Sequence, residues 1–145
     1  MMHKLLLADD DMDDCLFFQE AMEELSLSMT LTTVNDGVQL MNFLNSNTLA
    51  LPDALFLDLN MPRKSGFECL TEIRLNQNFK ELPVVIISTS LDTDVINKLY
   101  INGAHYYIRK PGDFNVLKKV IQEATERLEE NKLQQPERCN FIIES

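Results

Sequence analysis

Ala54-Leu55-Phe56-Leu57-Asp58-Leu59-Asn60-Met61-Pro62-Arg63-Lys64-Ser65-Gly66 is the stretch on which the fold turns. Four apolar residues run without a break into an aspartate. Such a run reads as a strand covered on both faces, with Asp58 at its carboxyl end. Open α/β sheets hold their ligands outside the carboxyl ends of their strands. Pro62 stops regular structure, and Gly66 gives the loop freedom before a new helix. The segment sets one carboxylate at a sheet rim, on a loop that wraps around it.

Two further runs share this character. Leu5-Leu6-Leu7-Ala8 ends in Asp9-Asp10-Asp11, and Val84-Val85-Ile86-Ile87, opened by Pro83, ends in Ser88-Thr89-Ser90. Two other segments are mixed. Met29 to Val34 alternates, which suits an edge strand, and Ala104 to Ile108 is made wetter by His105, Tyr106 and Tyr107. Helical spacing separates the five. Leu16, Phe17, Ala21, Met22 and Leu25 share one face, followed by Val38, Leu40, Met41, Phe43 and Leu44. A third helix runs from about Gly66 to Leu75, with Phe67, Leu70 and Ile73 inward. The fourth starts near Asp92 and stops at Asn102-Gly103. Asp113 caps a fifth that reaches Glu130.

Strand and helix thus alternate five times, which predicts one doubly wound, five-stranded parallel sheet. The order 2-1-3-4-5 puts the apolar strands in the centre and the two mixed strands outermost, a flavodoxin-like α/β fold. Its switch point lies between the first and third strands. Asp9, Asp10 and Asp58 meet there. Residues 3–131 read as one domain. Residues 132–145 read as a polar tail around Pro136, a disordered end or a docking and dimer segment through Phe141-Ile142-Ile143.

Bulk properties narrow the function classes. The chain of 145 residues is 45% hydrophobic, enough for one core. A formal net charge of -10 argues against general nucleic-acid binding, which needs a basic face. Cys15, Cys69 and Cys139 form no close pair and no metal-ligand spacing. The apolar run after Lys4 is too short for a signal peptide, and no stretch approaches a membrane span. These features read as a cytoplasmic protein.

The gathered acids dictate the chemistry. Three carboxylates about 4 Å apart repel by about 4 kcal/mol per pair at an effective dielectric near 20. Lys110, at the rim of the fifth strand, brings one positive charge, which leaves the cluster near -2. A divalent cation is the natural balance, and oxygen-only ligands favour Mg²⁺. Such an ion holds a phosphoryl group against one carboxylate, with Lys110 and the Ser88 hydroxyl sharing the charge. Asp58, alone on the central strand, is the best nucleophile.

Four motifs in order then carry a resemblance. They are Leu7-Ala8-Asp9-Asp10, Leu57 to Pro62 with Gly66, Pro83 to Thr89, and Gly103-Ala104 with Tyr107 and Lys110-Pro111. Across about Lys4 to Leu128 the chain resembles a response-regulator receiver domain of the chemotaxis-receiver type. The Ser88-Thr89-Ser90 run and the long loop before Pro83 make it similar to the stand-alone receivers that partner phytochrome-type sensor histidine kinases. The resemblance implies that Asp58 accepts a phosphoryl group from a kinase or phosphotransfer-protein histidine. It implies Mg²⁺ on Asp9, Asp10, Asp58 and the backbone carbonyl of Asn60. Lys110 would bind the phosphoryl group, and the Lys110–Pro111 bond would be cis. Ser88 would be the switch hydroxyl and Tyr107 the coupled aromatic. The last helices and last strand would form the output face, and a surface through which two copies pair.

The sequence departs from the pattern in places. Ser88 stands where threonine is common, Gly112 where a bulky apolar residue is frequent, and Asp11 adds a third acid, read as a helix-start charge. Other classes remain beside this one. An aspartyl-nucleophile phosphatase would carry a second acid two residues past Asp58, where Asn60 stands. A nucleotide or flavin module would show a Gly-rich phosphate loop, which is missing. A receiver that docks without being phosphorylated would not need the intact acidic set.

Overall fold

The computed structural model of the chain describes residues 2–25, 28–131 and 134–144. The first strand, β1 (Lys4–Ala8), leads into α1 (Met12–Glu24), and β2 (Thr30–Val34) into α2 (Gly37–Ser46). Next come β3 (Ala54–Asp58) with α3 (Gly66–Leu75), β4 (Val84–Ser88) with α4 (Thr93–Ile101), and β5 (Tyr106–Arg109) with α5 (Phe114–Glu130). A short strand, β6 (Ile142–Ile143), closes the sequence. The sheet order is β2-β1-β3-β4-β5-β6, and every neighbouring pair is parallel. The expected 2-1-3-4-5 order is present, with one strand added.

The apolar runs sit where their composition requires. Every residue of β3 and β4 is buried, and β1 is buried after Lys4. Only Val34 of β2 is fully buried, as befits an edge. Two cores flank the sheet. One packs Leu6, Leu55, Leu57 and Ile86 against α2 and α3 residues such as Leu40, Leu44, Leu70 and Ile73. The other packs Leu5, Leu7, Phe56 and Val85 against Phe18, Val120, Ile121 and Leu128. Side-chain oxygens start the helices: Asp11, Asp36, Ser65, Asp92 and Asp113 each accept a backbone N–H of the first turn.

Three expectations are corrected. In α1 the buried face is Cys15, Phe18, Ala21 and Met22, while Leu16 and Phe17 are about half exposed. Cys15-Leu16-Phe17-Phe18 is continuously apolar, so spacing alone permits two phases. The edge contact of Phe18 with Phe56, ring centroids 5.1 Å apart, sets the observed one. Phe67 of α3 likewise lies outward at 41% exposure. Finally, β5 is not an edge and not wet, because Tyr106 and Tyr107 are both buried.

The tail explains the last point. Tyr107 N–H donates to the Phe141 carbonyl at 3.0 Å, which starts the β5–β6 pairing. The Phe141 side chain is fully buried, 5.1 Å from the Tyr100 ring and 6.3 Å from that of Tyr107. Gln135 Nε2 donates to the Tyr100 and Ala104 carbonyls, and the Tyr100 hydroxyl donates to the Pro136 carbonyl. The tail, read as a disordered end or a docking and dimer segment, packs along the chain's own sheet over residues 134–144. Lys132, Leu133 and Ser145, also assigned to that tail, lie outside the described residues.

Candidate functional site

The carboxyl ends of β1 and β3 are adjacent, with Ala8 registered against Leu57. The residues that follow them, Asp9 and Asp58, therefore open into one crevice. Oxygens of Asp9, Asp10 and Asp58 all lie within 4.8 Å of one another. Asp9 and Asp58 are buried and Asp10 is exposed. Backbone donors fix two of them: Asp11 N–H reaches Asp9 Oδ1 at 2.9 Å, and Asn60 N–H reaches Asp58 Oδ1 at 3.3 Å. Gly66 lets the loop close over the end of β3, since any Cβ there would run into the Asp58 carbonyl oxygen. Asn60 itself is exposed on that loop.

Lys110 leaves the end of β5 and carries the positive charge of the site. Its Nζ is 3.2 Å from Asp9 Oδ2, 3.3 Å from Asp58 Oδ2 and 2.8 Å from Asp14 Oδ2. The Lys110 N–H donates to the Ser88 carbonyl at 2.8 Å, tying the lysine to the end of β4. The Lys110–Pro111 bond, expected cis, is trans, as are all peptide bonds among the described residues. Trans is the intrinsic preference by about 0.5–1 kcal/mol. In that form Lys110 already reaches all three carboxylates.

Burial and crowding leave the acids under strain. Asp9 is pushed up to about 6, first by desolvation and further by the charge of Asp58, against the Asp11 N–H and Lys110. Burial also raises Asp58, with Lys110 and the Asn60 N–H opposing. For Lys110 burial acts downward. The hydrogen bond to Asp14 and the charges of Asp58 and Asp9 outweigh it and hold the ammonium above the usual lysine range. Four carboxylates and one lysine sum to -3.

Ser88 is buried, one residue past Ile87, the register partner of Asp58. Its Oγ accepts the Ser90 N–H at 3.1 Å. Tyr107 lies inward, and its hydroxyl donates to the Ser90 carbonyl at 2.6 Å. Burial raises its pKa, while hydrogen bonds with Ser88 and Ser90 act the other way. The hydroxyl and the ring thus share one loop, residues 88–90. Asp11 stays out of the cluster and caps α1.

Asp14 is the member that sequence reasoning missed. It stands in the first turn of α1, where an acid reads as a helix-start charge, so nothing in the spacing marked it. Half-buried Arg74 and buried His105, 3.4 Å apart, were also missed as a pair.

The donor set is oxygen only, clustered and net negative, which fits a hard divalent cation such as Mg²⁺ or Mn²⁺. Comparison with known proteins agrees. The response regulator receiver domain family matches residues 5–122, and the chain belongs to that family. Members are response regulators of two-component signalling rather than enzymes that turn over an external substrate. The chain is 31% identical over 122 residues to response regulator Rcp1 of Synechocystis, covering 81% of this chain and 83% of that one. The solved structure of the phosphorylated cyanobacterial phytochrome response regulator RcpA is similar with a TM-score of 0.79 and 32% identity, over 87% of this chain and 93% of that one. The Mn²⁺-bound form of Rcp1 gives a TM-score of 0.75 and 29% identity, over 92% and 96%. Among the described residues no helix is long and apolar enough to cross a membrane.

Proposed function

We propose that Asp58 accepts a phosphoryl group from a histidine of a sensor kinase or phosphotransfer protein, and that the modified chain changes its protein contacts. The observation that carries this is the convergence of Asp9, Asp10 and Asp58 within 4.8 Å, with Lys110 paired to two of them, Asp9 and Asp58. In the step, an Asp58 carboxylate oxygen attacks phosphorus as the bond from phosphorus to the imidazole nitrogen breaks. The imidazole leaves with the electron pair. Asp9, Asp10, Asp58 and the Asn60 carbonyl would hold Mg²⁺, which supplies positive charge for the phosphoryl oxygens. Lys110 neutralises a further oxygen. Ser88, freed from the Ser90 N–H, would bond the phosphoryl group, and Tyr107 would follow because both are anchored on residues 88–90.

Similarity to phytochrome response regulators favours a phytochrome-type or other light-sensing kinase as the donor, and with it a cytoplasmic setting. Output through protein contacts suits the acidic charge of -10. Pairing of two copies would use α4, α5 and the outer edge of β6, since the β5 edge is taken. Acetyl phosphate with Mg²⁺ is expected to add one phosphoryl group, read by intact mass, and Asp58→Asn to abolish it. Equal labelling of that variant would remove Asp58 from the role, and no labelling of the wild type would favour a docking receiver. Sizing with and without beryllofluoride decides the pairing.

A further inference from the structure

We propose that Asp14 is a positioning residue that shares Lys110 with Asp9 and Asp58 in the resting chain, competing with the phosphoryl group for it. The inference rests on the phosphoryl-acceptor reading of Asp58. Of the three carboxylates around Lys110 Nζ, Asp14 is the nearest, at 2.8 Å against 3.2 and 3.3 Å. It is also the most exposed, at 37% against 3% and 4%. It stands on α1, in the turn that Asp11 caps, so its backbone is fixed independently of the acceptor loop. It lies outside the triad whose oxygens converge.

The consequence is a division of labour. A lysine resting wholly on Asp9 and Asp58 would neutralise the oxygens that a cation needs. A lysine drawn towards Asp14 leaves them more negative. Once a phosphoryl group arrives, its oxygens need the same ammonium, and Asp14 competes for it. Asp14 therefore favours the cation and disfavours the bound phosphoryl group, both through Lys110.

The test is a double-mutant cycle of Asp14→Asn with Lys110→Met. Mg²⁺ affinity is read by calorimetry, and beryllofluoride affinity at saturating Mg²⁺ by amide NMR shifts. In the wild-type background Asp14→Asn is expected to weaken Mg²⁺ and tighten beryllofluoride, each by about two- to fivefold, as one half-exposed ion pair allows. Asp14→Glu should restore both. With Lys110→Met in place, both effects of Asp14→Asn should vanish. Persistence of the effects without the lysine would mean that Asp14 acts by its own charge, which overturns the proposal. So would unchanged affinities, or a loss of both, the mark of a damaged fold. A wild type blind to beryllofluoride would instead defeat the acceptor reading, and the Mg²⁺ arm of the cycle would still decide the role of Asp14.

Discussion

Arg74 and Lys110 both lie partly inside this molecule, and their surroundings differ. Arg74 Nη1 donates to the carbonyls of Lys80 and Leu82, and its Nε and Nη2 to that of Gly103. His105 Nδ1 lies 3.4 Å from Nη2 and accepts the Val84 N–H at 3.2 Å. The guanidinium is matched by neutral oxygens, and burial lowers its pKa to about 10. Lys110 faces three carboxylates and sits above its usual range. The Arg74 clamp is electrostatically closed: it ties the loop after α3 to the turn before β5. The Lys110 rim is open, with more negative charge than the chain can balance. A closed cluster stabilises a fold, whereas an open one stabilises whatever completes it.

The largest expected effect breaks the closed side. Arg74→Met leaves three carbonyls short of a donor and should cost about 2–4 kcal/mol in urea unfolding. Mg²⁺ affinity should not move, and a shift would show that the two regions are coupled. On the open side the sign reverses. Asp9→Asn removes a charge whose pKa is raised from 3.8 to about 6, so the cation-free variant should be more stable at pH 7 by about 1–3 kcal/mol. Its affinity for Mg²⁺ should fall.

The pH dependence sharpens the same contrast. A group with a folded pKa above its unfolded value contributes stability below the unfolded value. That stability is lost as pH rises through the folded value. Wild-type stability without cation should therefore decline between about pH 4 and 6 relative to Asp9→Asn, while Asp58, raised in the same way, is common to both proteins. Chemical denaturation at several pH values in chelator measures the gap. The smallest effect concerns Asp11. Asp11→Ala should cost about 1 kcal/mol as a lost helix cap and leave Mg²⁺ affinity unchanged.

Most of the open region was legible in the chain. Uninterrupted apolar runs of four residues ending in Asp9, Asp58 and Ser88 are too short for helices and read as buried parallel strands with polar ends, and βα alternation then brings those ends together. Lys110 followed from its place after the fifth strand. The closed region left no such trace. Arg74 has the look of a surface helix residue, and its partners are backbone carbonyls, which have no sequence signature. The place of the tail on its own sheet was hidden for a related reason. Phe141-Ile142-Ile143 is short and set among polar residues, and its burial depends on the groove formed by Tyr100 and Tyr107. In α1 the run at 15–18 concealed the phase, and with it the inward turn of Asp14.

The openness of the rim is tested most directly by thermal unfolding at pH 7 with and without millimolar Mg²⁺, for the wild type and Asp58→Asn. Binding to the folded state alone raises the midpoint. The wild type should unfold at a clearly higher temperature when the cation is present, and the variant should show a much smaller rise. Identical midpoints for the wild type in both conditions would contradict the account.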